Sequence, residues 1–74
     1  MPRYYFHICD GVDILDDVGT ELPDAVFARR EAIRYSGAIL EDEAERLSLG
    51  EEWRMELLDN TGLMLFCLNF MVTA

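Results

Sequence analysis

The sequence predicts a single α+β domain over residues 1–74, a four-stranded mixed sheet in ββαββ order with one helix packed on one face. Three observations lead there. Short lipophilic runs bounded by Asp/Gly turns occur at both ends of the chain, one long helix-periodic segment lies between them, and 74 residues suffice for one small core.

Residues 3–9 form the first strand, in which Tyr4, Phe6 and Ile8 alternate with Tyr5, His7 and Cys9. Asp10-Gly11-Val12-Asp13 supplies turn chemistry, with Gly11 free to take a positive φ, and Ile14, Leu15 and Val18 form a short return strand. Asp16-Asp17-Val18-Gly19 ends this first hairpin. Leu22-Pro23-Asp24 opens a helix expected over 24–48, with Pro23 at its entrance and Asp24 as N-cap or in the first turn. Val26, Ile33, Leu40 and Leu47 fall seven apart, and Ala25, Ala32, Ile39 and Ala44 flank them on one stripe, the expected core face. Phe27, Glu31, Arg34, Glu41, Asp42 and Glu45 lie opposite, Asp42 and Arg46 are spaced as an i,i+4 pair, Gly37 weakens the middle, and Gly50 is placed to end the helix.

A second hairpin follows. Trp53, Met55 and Leu57 alternate with Arg54 and Glu56, Asp59-Asn60-Thr61-Gly62 forms a turn, and 63–70 forms the fourth strand. Charged strands belong at sheet edges. The second strand is flanked by acids and the third carries Glu51, Glu52, Arg54 and Glu56, so the first and fourth are expected in the centre as a parallel pair, in spatial order 2-1-4-3.

Tyr4, Phe6 and Ile8, Trp53, Met55 and Leu57, and Met64, Phe66, Leu68 and Phe70 then face the helix. The other face carries Tyr5, His7, Cys9, Leu58, Leu65, Cys67 and Asn69, with Arg54 and Glu56 toward the edge. One helix cannot cover both sides of a sheet. Tyr5, His7, Cys9, Leu65, Cys67 and Asn69 are therefore the expected partner-binding residues, covered most simply by a second copy of the chain.

Composition narrows the partners. Fifteen acids oppose six arginines and no lysine, and the net charge of −9 repels phosphate backbones and anionic membranes, so neither nucleic acid nor membrane is expected. Basic or apolar protein partners fit better. Arg29, Arg30 and Arg34 precede Glu41, Asp42, Glu43 and Glu45, an order that opposes the helix macrodipole. The run LMLFCLNFMV at 63–72 is too short to span about 30 Å of hydrocarbon as a helix and reads as a strand. Met1-Pro2-Arg3 leads straight into a strand without the pattern of an export signal, so a reducing cytoplasm is expected.

Candidate chemistry is sparse. His7 with Tyr5 and Cys9 offers a general base near a nucleophile, but positions two apart on a strand are roughly 7 Å apart, and no third group is evident to orient the imidazole; no catalysis is expected. Asp10, Asp13, Asp16 and Asp17 suggest a hard cation, but their spacing is not that of an EF-hand loop and fits turn conformation, so no metal is expected. Cys9 and Cys67 are expected on adjacent strands as free thiols. No cofactor is expected.

PRYYFH at 2–7, Asp10-Gly11, Asp17, Gly19, Glu21-Leu22 and ARREA at 28–32 together resemble a family of short uncharacterised bacterial, mainly alphaproteobacterial, proteins, over nearly the whole chain. That resemblance implies a domain of unknown function with no catalytic residues to carry over. Residues 4–35 are also similar to HicB-type antitoxins, small acidic proteins in which a hairpin precedes a helix rich in alanine and acid, which implies an inhibitor of a basic partner. The expected function is a non-enzymatic interaction or regulatory module acting as a homodimer through the open sheet face. The alternatives are an antitoxin-like inhibitor and a small-molecule binder using the His7 face.

Overall fold

The computed structural model describes residues 1–9, 13–45 and 52–73. Its elements are β1 (Arg3–Cys9), β2 (Asp13–Ile14), β3 (Thr20–Glu21), α1 (Ala25–Asp42), β4 (Glu52–Leu58) and β5 (Met64–Met71). The fold is α+β, one helix on an antiparallel sheet ordered β2-β1-β4-β5, with β3 pairing the start of β1. The expected turn at Gly11, the Asp42–Arg46 pair, Leu47 and the stop at Gly50 lie outside the described residues.

This order corrects the expected 2-1-4-3 arrangement. The strand at 52–58 is central and the one at 64–71 is at the edge, and among the described residues every pairing is antiparallel. The reason is that β4 is charged on one face only. Arg54 and Glu56 point away from the helix, while Trp53, Met55 and Leu57 point toward it and are fully buried. Three fully buried large side chains need neighbours on both flanks, and that requirement outweighs the preference of charge for an edge.

Tyr4, Phe6 and Ile8 complete the sheet's contribution to the core, as the alternation in β1 predicts. The helix contributes Ala28, Ala32 and Ser36, a narrow stripe of small residues at i, i+4 and i+8. The broader stripe expected from Val26 and Ile33 is turned outward, and both are about half exposed, at 50% and 52%. Steric fit explains the rotation. The helix sits over β4 and β5, where the sheet already presents Trp53 and Met55, so it seats with its smallest side chains down. Ala32 and Ile39 do lie on the core side, Ile39 partly buried.

Asp24 caps the helix, its Oδ1 accepting the Phe27 N–H at 3.0 Å. The helix closes at Asp42, before the expected 48; Glu43 is the C-cap, donating its N–H to Ile39 O at 2.9 Å. No base occupies the last turn, and Glu41, Asp42 and Glu43 crowd the negative end of the dipole, which favours an early stop.

Among the described residues the packing leaves three buried side-chain groups without a hydrogen-bond partner, Ser36 Oγ, Trp53 Nε1 and Arg54 Nε. Ser36 is the fully buried one on the helix. Ser36→Ala removes an unpaired hydroxyl and adds helix propensity, so it should raise the unfolding free energy by about 1–2 kcal/mol in urea denaturation. A loss of stability would mean that the hydroxyl is paired in solution.

Candidate functional site

The expected partner residues divide between a free strand edge and an open sheet face. β5 is eight residues long, MLFCLNFM, and carries no charge and no proline. Among the described residues it pairs with β4 alone, so its other side presents a row of backbone N–H and C=O groups. Met64, Leu65 and Met71 are exposed beside that row.

A β-bulge shapes this edge. Leu57 faces Phe66, but Leu58 faces Met64, so Leu65 is an extra residue on β5. Past a bulge the facing alternation slips by one. Met64, expected toward the helix, lies opposite Leu58, while Leu65, expected on the open face, lines a crevice with Ala25, Val26 and Arg29 of the helix. Leu65 is thereby separated from Tyr5, His7, Cys9, Cys67 and Asn69. The turn before β5 is tight: Asp59 Oδ1 accepts from Thr61 N–H, Thr61 Oγ1 and Leu63 N–H, and Gly62 takes φ +88.

The open face is built from cross-strand rows. Cys9 faces Arg54, which faces Asn69; His7 faces Glu56, which faces Cys67; Tyr5 faces Leu58. β4 thus stands between the two cysteines, which the sequence reading placed on adjacent strands; both are free thiols. Arg54 anchors the face. Its Nη2 donates to Cys9 Sγ at 3.5 Å, and its Nε lies 3.2 Å from Glu56 Oε2, outside hydrogen-bond geometry. Burial and a hydrogen bond to Asp13 push the Cys9 thiol up, against the opposing pull of Arg54, so Cys9 is held as a thiol.

The chain from Asp13 to Glu21 forms an arm along the outer edge of β1, touching it at both ends. β2 pairs at Ile8 and Cys9, β3 pairs at Arg3 and Tyr4, and Asp16 fills the gap between them. Its Oδ2 accepts Phe6 N–H at 3.2 Å, and its Oδ1 accepts Val18 N–H at 3.1 Å and Gly19 N–H at 3.0 Å. The Asp16 N–H donates to His7 Nδ1 at 3.0 Å, so the neutral imidazole carries its proton on Nε2. Burial raises the Asp16 pKa, but the N–H groups of Gly19, Phe6 and Val18 and the nearby His7 outweigh it, and the net shift is downward. Arg3 ties down the arm's far end through Val18 O at 2.8 Å and Glu21 Oε1 at 3.1 Å. Gly19 takes φ +78 there, and a Cβ on it would fall 2.7 Å from Arg3 Cγ.

Sequence reasoning grouped Asp16 with other aspartates as a cation or turn residue and found nothing to orient His7; in the structure Asp16 supplies that contact from its backbone. The signal was available as an Asp three residues before a glycine, a spacing that lets one carboxylate accept several successive N–H groups. Tyr5, His7, Asp16, Leu58 and Asp59 also line a shallow groove at one end of the open face. Among the described residues no helix is long and apolar enough to cross a membrane, and no three metal-ligating side chains cluster.

A family model described as a domain of unknown function (DUF6894) matches residues 3–71. No curated protein and no solved structure matches the chain.

Proposed function

The chain belongs to the family of the domain of unknown function DUF6894, and we propose that it is a non-enzymatic protein-interaction module working as a homodimer, two copies pairing antiparallel through β5. The observation that carries this reading is the edge itself. An eight-residue strand without charge or proline templates uncontrolled pairing unless something covers it. A second copy covers it at once: twofold antiparallel pairing satisfies the free row of both strands and joins two sheets into one, with β5 at its centre.

Sequence reasoning placed the self-contact on the open face, and the geometry favours the edge. Face-to-face packing buries the Arg54–Glu56 pair, and desolvating each ion costs several kcal/mol. Edge pairing leaves that pair wet, and brings Cys67 and Asn69 to the junction while Tyr5, His7 and Cys9 stay two strands away. A non-enzymatic role is supported by His7, whose Nδ1 is occupied by Asp16 N–H, and by Cys9, held as a thiol. The free thiols fit a reducing cytoplasm. The second reading, an inhibitor of a basic partner, is favoured by the charge of −9.

Amide hydrogen exchange tests the edge. In an antiparallel pair alternate residues donate to the neighbour, so half of the β5 amides point away from β4. Pairing between copies protects both sets. Rapid exchange confined to the outward set at high protein concentration would show an open edge.

A further inference from the structure

The helix does not cover the whole inner face of the sheet. Beyond β4 it leaves a cleft of about 670 Å³, floored by Phe6 and Ile8, with Tyr35 and Glu31 of α1 on one side and Leu15 and Asp16 of the arm on the other. That volume lies within the range of small-ligand pockets, which typically have apolar walls and a few convergent polar groups. We infer that this cleft binds a small organic ammonium with an apolar body, its cationic head between Asp16 and Glu31.

Two features select the charge. First, the acidic groups in the cleft can accept a cation. Among the described residues Asp16 Oδ2 takes only the Phe6 N–H, which leaves a lone pair for a ligand, and the N–H groups around this carboxylate keep it anionic. Glu31 is held by Arg34 at 3.0 Å in an i,i+3 pair whose arginine side chain is 74% exposed, and so weak a surface pair yields to a better-placed cation. Among the described residues none that lines the cleft is basic. Second, Phe6 and Tyr35 meet edge-to-face with ring centroids 6.3 Å apart, and aromatic faces beside carboxylates attract ammonium groups. A neutral apolar ligand fills the same walls but strips water from two carboxylates without replacing it. An anion is repelled by both of them.

This inference is independent of the β5 pairing, because α1 and β4 separate the cleft from that edge. Its test is a titration of the folded protein with octylammonium, octanol and octanoate, three probes with one body and different heads, followed by amide shifts at Ile14, Leu15 and Tyr35. Octylammonium should bind at least tenfold more tightly than either of the others. Glu31→Gln should weaken it several-fold, and Leu15→Lys, an exposed substitution that puts a competing cation in the cleft, should abolish it; neither replaces a core residue. Equal binding of octanol and octylammonium, or octylammonium binding unchanged in both variants, would overturn the inference. Saturable binding of a short Arg/Leu peptide with none of octylammonium would also overturn it and assign the cleft to a protein segment.

Discussion

Replacing Asp16 with alanine should lower the unfolding free energy by about 1.5–3 kcal/mol, the contribution of one hydrogen bond to a charged group. Three N–H groups lose their acceptor, but those of Val18 and Gly19 can turn to water; the Phe6 N–H, on a buried core residue, carries most of the loss. Against the roughly 5 kcal/mol typical of so small a domain, this is a large fraction. Acid should reveal the same group. Its folded-state pKa is depressed, so the unfolded chain takes up the proton first as pH falls. The stabilisation is complete above about pH 4, the unfolded value, and is lost as pH falls through the folded one. Neutralising a chain of net charge −9 acts the other way by relieving repulsion. The difference between wild type and Asp16→Asn in urea denaturation at pH 7 and pH 3 isolates the carboxylate. The gap should narrow at pH 3, and a constant gap would assign the effect to shape.

The second large effect is expected at the edge. In a twofold antiparallel pair, facing residues must share a sheet face, so near the middle of β5 Cys67 meets either its own copy or Asn69 of the other. The double variant Cys67→Lys/Asn69→Lys sets lysine against lysine in either register, and edge lysines are a common natural device against strand pairing. Both side chains are exposed, so the fold of one copy should persist with an unchanged far-ultraviolet spectrum. The dimer dissociation constant should rise about a hundredfold, or roughly 2.7 kcal/mol. Two added lysines take the net charge from −9 to −7 and reduce long-range repulsion, so dissociation would report the edge and not the field.

Much of this architecture was legible because local chemistry and tertiary placement agree. The alternation of Tyr4, Phe6 and Ile8, the row Trp53, Met55 and Leu57, the Asp24 cap and the Asp59–Gly62 turn all read through directly. The strand order did not: alternation puts Arg54 and Glu56 on the open face, but their charge reads as the mark of an edge, whereas the buried row Trp53, Met55 and Leu57 on the other face sets the strand at the centre. The helix orientation was hidden for a related reason: periodicity rewards large apolar residues, whereas a sheet crowded by Trp53 selects Ala28, Ala32 and Ser36. At the candidate site, Tyr5, His7 and Cys9 share one face as their spacing requires, with Cys67 and Asn69 two strands across. Leu65 departs because a bulge leaves no trace in hydropathy. The split arm escaped notice because each of its pairings with β1 is two residues long.

The central claim, that a second copy covers the β5 edge, is tested most directly by the mass of the unmodified protein in solution. Light scattering at tens of micromolar should return twice the 8.5 kDa of one chain, about 17 kDa. A value that stays at the mass of one chain across that range would contradict the account and leave the uncharged edge strand to a different partner.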